Sequence, residues 1–251
     1  MTKQIFPLAL GGLAIGTTEF IIMGLLPDVA KDLGVSIPIA GHLISAYAFG
    51  VVVGAPILVA LSSKFPPKNI LIVYMILFTL FNALSIVAPD YNTLLMSRFL
   101  AGLPHGAFFG VGTIVAIKLS KKGKEAQAVS SMFTGLTLAI LLLVPFLTYI
   151  GHNTSYKWAF LIVSLLGIFT ILALIKFMPK LKSLKTVTFK EEIEFFLTFK
   201  AWHIILIVAI GFGGLFAWFS YIAPLLINVS KFSPSSISYL MLVAGVGMVA
   251  G

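Results

Sequence analysis

Apolar residues fall in long blocks along this 251-residue chain. Crossing a hydrocarbon core about 30 Å thick takes about 20 apolar residues in a helix. By that measure the blocks cover residues 5–26, 39–61, 69–88, 93–117, 127–150, 157–178 and 202–227. An eighth opens near Ser235 and is still apolar at Gly251. The breaks fall at Pro27 with Asp28, Pro66 with Pro67, Pro89 with Asp90, Gly123, Gly151 to Ser155, and Ser233 with Pro234. The pattern predicts an all-α integral membrane bundle. The first block is too long for a signal-peptide core and has no small-residue cleavage site, so it reads as a retained span.

Composition agrees, and charge adds orientation. The chain is 59% hydrophobic and 10% charged, with a mean hydropathy of +1.09, whereas soluble domains carry about 25% charged residues. A net charge of +9 would point to nucleic acid in a soluble protein. Here the lysines sit in short loops, where they act as topology signals, and no nucleic-acid partner is expected. With the N-terminus cytoplasmic, the inner segments hold Lys3, Lys64, Lys68, Lys118, Lys121, Lys122, Lys124, Lys176, Lys180, Lys182, Lys185, Lys190 and Lys200. The outer segments hold Lys31, Lys157 and Lys231. The bias places the N-terminus inside, in a multi-pass protein of the cell membrane. Cysteine is absent, which excludes disulfides and thiolate metal sites.

The longest loop, 179–201, is basic. Thr188 precedes Glu191 by three residues, a capping-box pattern, and Phe189, Ile193, Phe196 and Leu197 recur at helical spacing. This reads as a short amphipathic helix on the inner membrane surface, or as a plain tether between two bundles.

An internal repeat divides the chain. Gly34–Gly54 aligns without gaps on Lys231–Gly251, matching Ser36, Leu43, Gly50, Val52 and Gly54 with Ser233, Leu240, Gly247, Val249 and Gly251. Ala14, Ile15 and Gly16 recur as Ala209, Ile210 and Gly211, and Pro27 as Pro224. The seventh span thus repeats the first, as in transporters built from two parallel six-helix halves. The expected division is a six-helix bundle over 1–178, a linker over 179–201, and the start of a second bundle over 202–251. Two such halves need roughly 390 residues. The chain is therefore expected to be a fragment or a truncated product.

The stretch Leu94–Gly112 carries the chemistry. It is apolar enough to span, yet holds Arg98 and His105 on one face, seven residues apart. A cation at mid-membrane costs about 2.5–3.5 kcal/mol on insertion scales, so it turns to a protein interior or a wet cavity. Gly102, Gly106 and Gly110 clear one stripe for close helix approach, as do Gly50 with Gly54 and Gly12 with Gly16. Glu19 is the one acid inside a predicted span, roughly 12 Å below its Pro27 end at about 1.5 Å per residue. Arg98 lies at similar depth, which permits an ion pair or a shared cavity.

Two readings follow for this pair. In one, Glu19 alternates between a proton and a cationic or polar substrate, tuned by burial and Arg98. In the other, the two form a fixed structural salt bridge. His105 is a proton relay or substrate donor, or else a satisfied interhelical histidine. Pro104 beside it predicts a kink that widens the groove. Tyr47, Asn82, Trp218 and Tyr221 are cavity candidates, with packing roles as the alternative. His42, His152 and His203 read as interfacial.

No enzyme signature is present: no HExxH, no GxSxG, no cluster of metal-ligating His and carboxylates, and no phosphate-binding glycine loop with its lysine. No cofactor is expected, and a proton or ion gradient is the remaining driver.

Three stretches, Gly16–Ser36, Ile44–Pro56 and Ser97–Gly112, resemble the major facilitator superfamily. They most resemble its bacterial sugar- and drug-efflux branch, often labelled arabinose efflux permeases. The family's fourth-helix arginine falls on Arg98. The resemblance covers the first seven and a half of the family's twelve helices. It implies alternating access by proton-coupled antiport of a small molecule, with Glu19 as proton carrier and Arg98 as its tuner.

Two segments depart from the family pattern. The loop between helices 2 and 3, Ser63 to Lys68, keeps cations but lacks the family's acid and glycine. The antiporter motif of helix 5 keeps Pro145, but Leu143, Val144 and Leu147 replace its glycines and should fill that interface. The alternative function is a truncated, non-transporting membrane remnant. Substrate identity and oligomeric state are not legible in the sequence.

Overall fold

Lipid offers no hydrogen bonds, so a spanning chain must satisfy its own backbone, and helices do so locally. The computed structural model describes residues 3–62, 65–182, 194 and 197–250, and contains helices but no strand among them. In order these are α1 (Phe6–Gly24), α2 (Leu26–Asp32), α3 (Ile37–Ser62), α4 (Pro67–Val87), α5 (Tyr91–Leu119), α6 (Glu125–Leu138), α7 (Val144–Asn153), α8 (Tyr156–Phe177), α9 (Phe199–Ser220), α10 (Ile222–Asn228) and α11 (Ile237–Ala250). Among the described residues, seven helical segments are long and apolar enough to cross a membrane, with α6 and α7 forming one of them. The chain is an all-α, multi-pass membrane protein.

Local chemistry sets the boundaries. Asp90 caps α5 by accepting from the Thr93 backbone N–H at 2.9 Å. Ser155 and Thr198 cap α8 and α9 in the same way. Pro67 opens α4, where its missing N–H costs nothing. Gly123, at φ +80, turns the chain between α5 and α6.

Several boundaries differ from the sequence expectation. The first span stops at Gly24, and the chain continues as α2 with Pro27 in its first turn. The seventh is likewise broken at Tyr221, and it starts at Phe199 rather than 202. α5 carries Pro104 inside a single continuous helix. The fifth span is the one that changes form. Ala139–Leu143 makes a π-helical turn in which the Val144 N–H reaches back to the Ala139 carbonyl. Pro145, just beyond, has no N–H, and its ring would crowd a regular turn behind it; one wider turn relieves both problems. The amphipathic helix expected over Thr188, Phe189, Glu191, Ile193 and Phe196, and the loop cation Lys64, lie outside the described residues.

Helices associate in lipid chiefly by close packing, and small residues permit it. A Cβ added at Gly50 would strike the Phe99 carbonyl oxygen, at Gly54 the Leu103 carbonyl, and at Gly102 the Tyr47 carbonyl. α3 and α5 thus touch backbone to backbone. Gly106 meets the Ala55 methyl, while Gly110 has only an ordinary contact with Val59. Gly12 and Gly135 do the same for α1 and α6, against the Met132 and Ala9 carbonyls. Elsewhere α4 packs on α5 and α8, and α8 on α1. Lys68 donates to the Ile175 and Met178 carbonyls, both at 2.7 Å, and so closes the C-terminal end of α8.

α9, α10 and α11 pack on α1, α3 and the fifth span on the side of Pro27. Phe20 packs on Phe216 and Phe219, ring centroids 5.8 and 5.9 Å away. Tyr221 presses its hydroxyl on Gly41, and Gly245 lies against the Ile140 carbonyl of the π turn. Val144 and Leu147 are buried here, filling the interface as their size predicts. Residues 202–215 of α9 are exposed.

Backbone-to-backbone contact leaves no room for a side chain to yield. Gly54→Leu should therefore cost at least about 1–3 kcal/mol, the usual price of overpacking. Gly211→Leu, with nothing within 4 Å, should be near neutral. Thermal unfolding of the purified variants in detergent checks the contrast, and equal melting temperatures would refute the close-packing account.

Candidate functional site

Arg98 is the single arginine among the 251 residues, and none of it is exposed. The backbone contact at Gly102, one turn further along α5, holds Arg98 beside α3 and across from α1. Its guanidinium does not pair with Glu19, so of the two readings the fixed structural salt bridge is the one the geometry does not contain. Instead it grips Thr18, with one terminal nitrogen donating to Oγ1 at 2.9 Å and the other to the backbone carbonyl at 3.0 Å. Thr18 passes the bond on: its hydroxyl donates to Asn82 Oδ1. Asn82 Nδ2 donates in turn to the Phe78 carbonyl at 2.8 Å. Three helices, α5, α1 and α4, are tied by one buried polar chain.

Aromatic faces complete the seat. The guanidinium carbon lies 4.4 Å from the Tyr47 ring centroid and 5.6 Å from that of Phe160. Such contacts contribute about 0.5–2 kcal/mol as water is excluded. Arg98 Nε has no hydrogen-bond partner among the described residues. Ring faces therefore supply much of what a carboxylate would otherwise provide.

Glu19 follows Thr18 directly but turns elsewhere. It is half-buried and makes no hydrogen bond or ion pair among the described residues. The residue keeps partial exposure, so the carboxylate is not sealed in the core. It still feels the Arg98 charge through the protein. The physical reason for the separation is plain: Thr18 and two rings hold the cation, and the acid is left free.

His105 joins the same group. Its Nδ1 lies 3.0 Å from the Tyr47 hydroxyl. Its ring sits 5.3 Å from Phe109, which stacks on Phe133 at 5.0 Å. Of the cavity candidates, Tyr47 is therefore at the centre. Asn82 is fully buried as a link in the Thr18 chain and lines no open space. Trp218 and Tyr221 lie on the α9–α10 side, exposed and apart from Arg98, with Tyr221 against Gly41. Pro145 is buried beside the π turn.

Sequence reading missed Thr18 and Phe160 as Arg98 partners. Thr18 was adjacent to Glu19 and could have been found by asking which hydroxyl shares that depth; nothing marked Phe160. His152, expected to be interfacial, lies in the last turn of α7 and is joined to Asp28 at 2.9 Å. That pair lines a separate cavity of about 240 Å³ with Lys31, Thr148 and Pro234.

Comparison with known proteins shows what the chain resembles. Residues 8–251 match the Major Facilitator Superfamily. The chain is 41% identical over 244 residues to the inner membrane transport protein YdhP of Escherichia coli strain K12, covering 97% of this chain and 63% of that one. It is 30% identical over 250 residues to a probable sugar efflux transporter of Helicobacter pylori strain HPAG1, covering 99% and 63%. In fold it is similar to a bacterial homolog of the human lysosomal transporter Spinster, crystallised inward-facing and unoccupied. That likeness has a TM-score of 0.77 at 17% identity, over 97% of this chain and 60% of the other. The chain spans less than two thirds of the length of these relatives. With its helical bundle, buried cation and glycine-packed spans, it belongs to the Major Facilitator Superfamily, a family of membrane transporters.

Proposed function

We propose that this chain belongs to a proton-coupled exporter of a small molecule, with Glu19 as proton carrier and Arg98 as the fixed charge beside it. One observation carries the reading: an acid inside a spanning helix is left unpaired while the nearby arginine is held by Thr18. A buried membrane acid is expensive, and one without a partner is free to bind a proton or a cationic or polar group in turn. Similarity to a probable sugar efflux transporter supports a sugar or similarly small polar substrate and the outward direction. Residues 1–178 act as the first six-helix bundle, 179–201 as a linker, and 202–251 as the start of the second bundle. The N-terminus faces the cytoplasm of the cell membrane, where the loop lysines gather.

The coupling role is tested in everted membrane vesicles carrying the full-length transporter, with a radiolabelled pentose as probe. Glu19→Gln should reduce gradient-driven transport to background while leaving downhill exchange and membrane insertion intact. Transport driven as well as in the parent protein would sink the proton-carrier role.

The orientation is tested separately, because the chain offers a cysteine-free background. Asn153→Cys should react with an impermeant maleimide in intact cells, and Lys122→Cys only after permeabilisation. The reverse pattern would overturn the orientation.

A further inference from the structure

Tyr47 touches both Arg98 and His105 of α5. Its backbone carbonyl abuts Gly102, which fixes where the side chain begins. Its ring face lies under the Arg98 guanidinium at 4.4 Å, and its hydroxyl meets His105 Nδ1 at 3.0 Å. Only 3% of the residue is exposed. One rigid, buried side chain thus bridges two turns of α5.

The direction of the hydroxyl bond follows from satisfaction. The Tyr47 O–H has no second partner among the described residues, and leaving a buried donor unmade costs more than a hydrogen bond contributes. The phenol therefore donates and Nδ1 accepts. A neutral imidazole that accepts on Nδ1 carries its proton on Nε2. His105 is half-buried, and its Nε2 has no hydrogen-bond partner among the described residues, so that N–H is left unengaged. A proton added at Nδ1 would confront the phenol O–H, force it to turn, and set a second cation near Arg98. The charged and titratable groups around Tyr47 are Glu19 from α1 with Arg98 and His105 from α5.

We propose that Tyr47 is the positioning residue of this site: its ring seats Arg98 on Thr18 and clear of Glu19, while its hydroxyl fixes the His105 tautomer that presents Nε2–H. The inference rests on the coupling role given above to Glu19 and Arg98, but its test does not require transport.

The test is nitrogen NMR of the protein in lipid nanodiscs, labelled at its four histidines and its single arginine. His105→Gln identifies the His105 signals by subtraction. The wild-type protein at neutral pH should show Nδ1 unprotonated and Nε2 protonated. Tyr47→Phe keeps the ring and should yield a mixture of both tautomers with Arg98 signals unchanged. Tyr47→Leu should in addition speed exchange of the Arg98 N–H protons by about 2- to 30-fold, the loss of a cation–π contact expressed as a rate ratio.

A wild-type His105 protonated on Nδ1 would overturn the proposal, and that reading depends on neither Tyr47 variant. An unaltered tautomer in Tyr47→Phe would overturn it too, as would unaltered Arg98 exchange in Tyr47→Leu. Failure of the Glu19 role would appear in the vesicle assay alone, and failure of the Tyr47 role in these spectra.

Discussion

A single guanidinium that must stay charged inside a lipid-spanning bundle is the constraint on which the rest depends. Arginine does not shed its proton in proteins, so burial has to be met by partners rather than by neutralisation. The obvious partner, Glu19, is one residue away from the group that Arg98 actually holds. Using Thr18 and two ring faces instead satisfies the cation and keeps the acid uncommitted. A direct Glu19–Arg98 bridge would have satisfied both charges and removed the one free carboxylate inside a span.

That solution requires helix backbones unusually close together. The Tyr47 ring can lie flat under Arg98 because α3 meets α5 through Gly50, Gly54 and Gly102, with carbonyl oxygens standing where Cβ atoms would be. The Thr18 chain runs on to α4 through Asn82, so the helices that hold the cation also hold one another. Packing and electrostatics are one device here. Glycine supplies the approach, and the approach supplies the aromatic face.

On the other flank, the fifth span meets α11 through a different compromise. Leu143, Val144 and Leu147 flank Pro145, where smaller residues would let a neighbouring helix come closer. The π turn before Pro145 brings the Ile140 carbonyl against Gly245, so the small residue stands on the partner helix. At the lysine-rich end, Lys68 closes α8 through its carbonyls, a use for the loop cation that charge counting alone did not show.

Hydropathy and punctuation by themselves determined that the chain is a multi-pass helical bundle, because twenty apolar residues in lipid leave the backbone no alternative. They also picked out Glu19, Arg98, His105 and Tyr47, since polar atoms in such segments are costly enough to stand out in a bare sequence. Helix ends at Gly24 and Tyr221, and the π turn, escaped notice because hydropathy averages over a whole turn and does not sense one missing N–H. Only the tertiary structure decided who pairs with whom. Depth along a helix can be counted from the sequence, but the azimuth of each helix against its neighbours cannot. That azimuth gave Arg98 to Thr18, Tyr47 and Phe160 and left Glu19 alone.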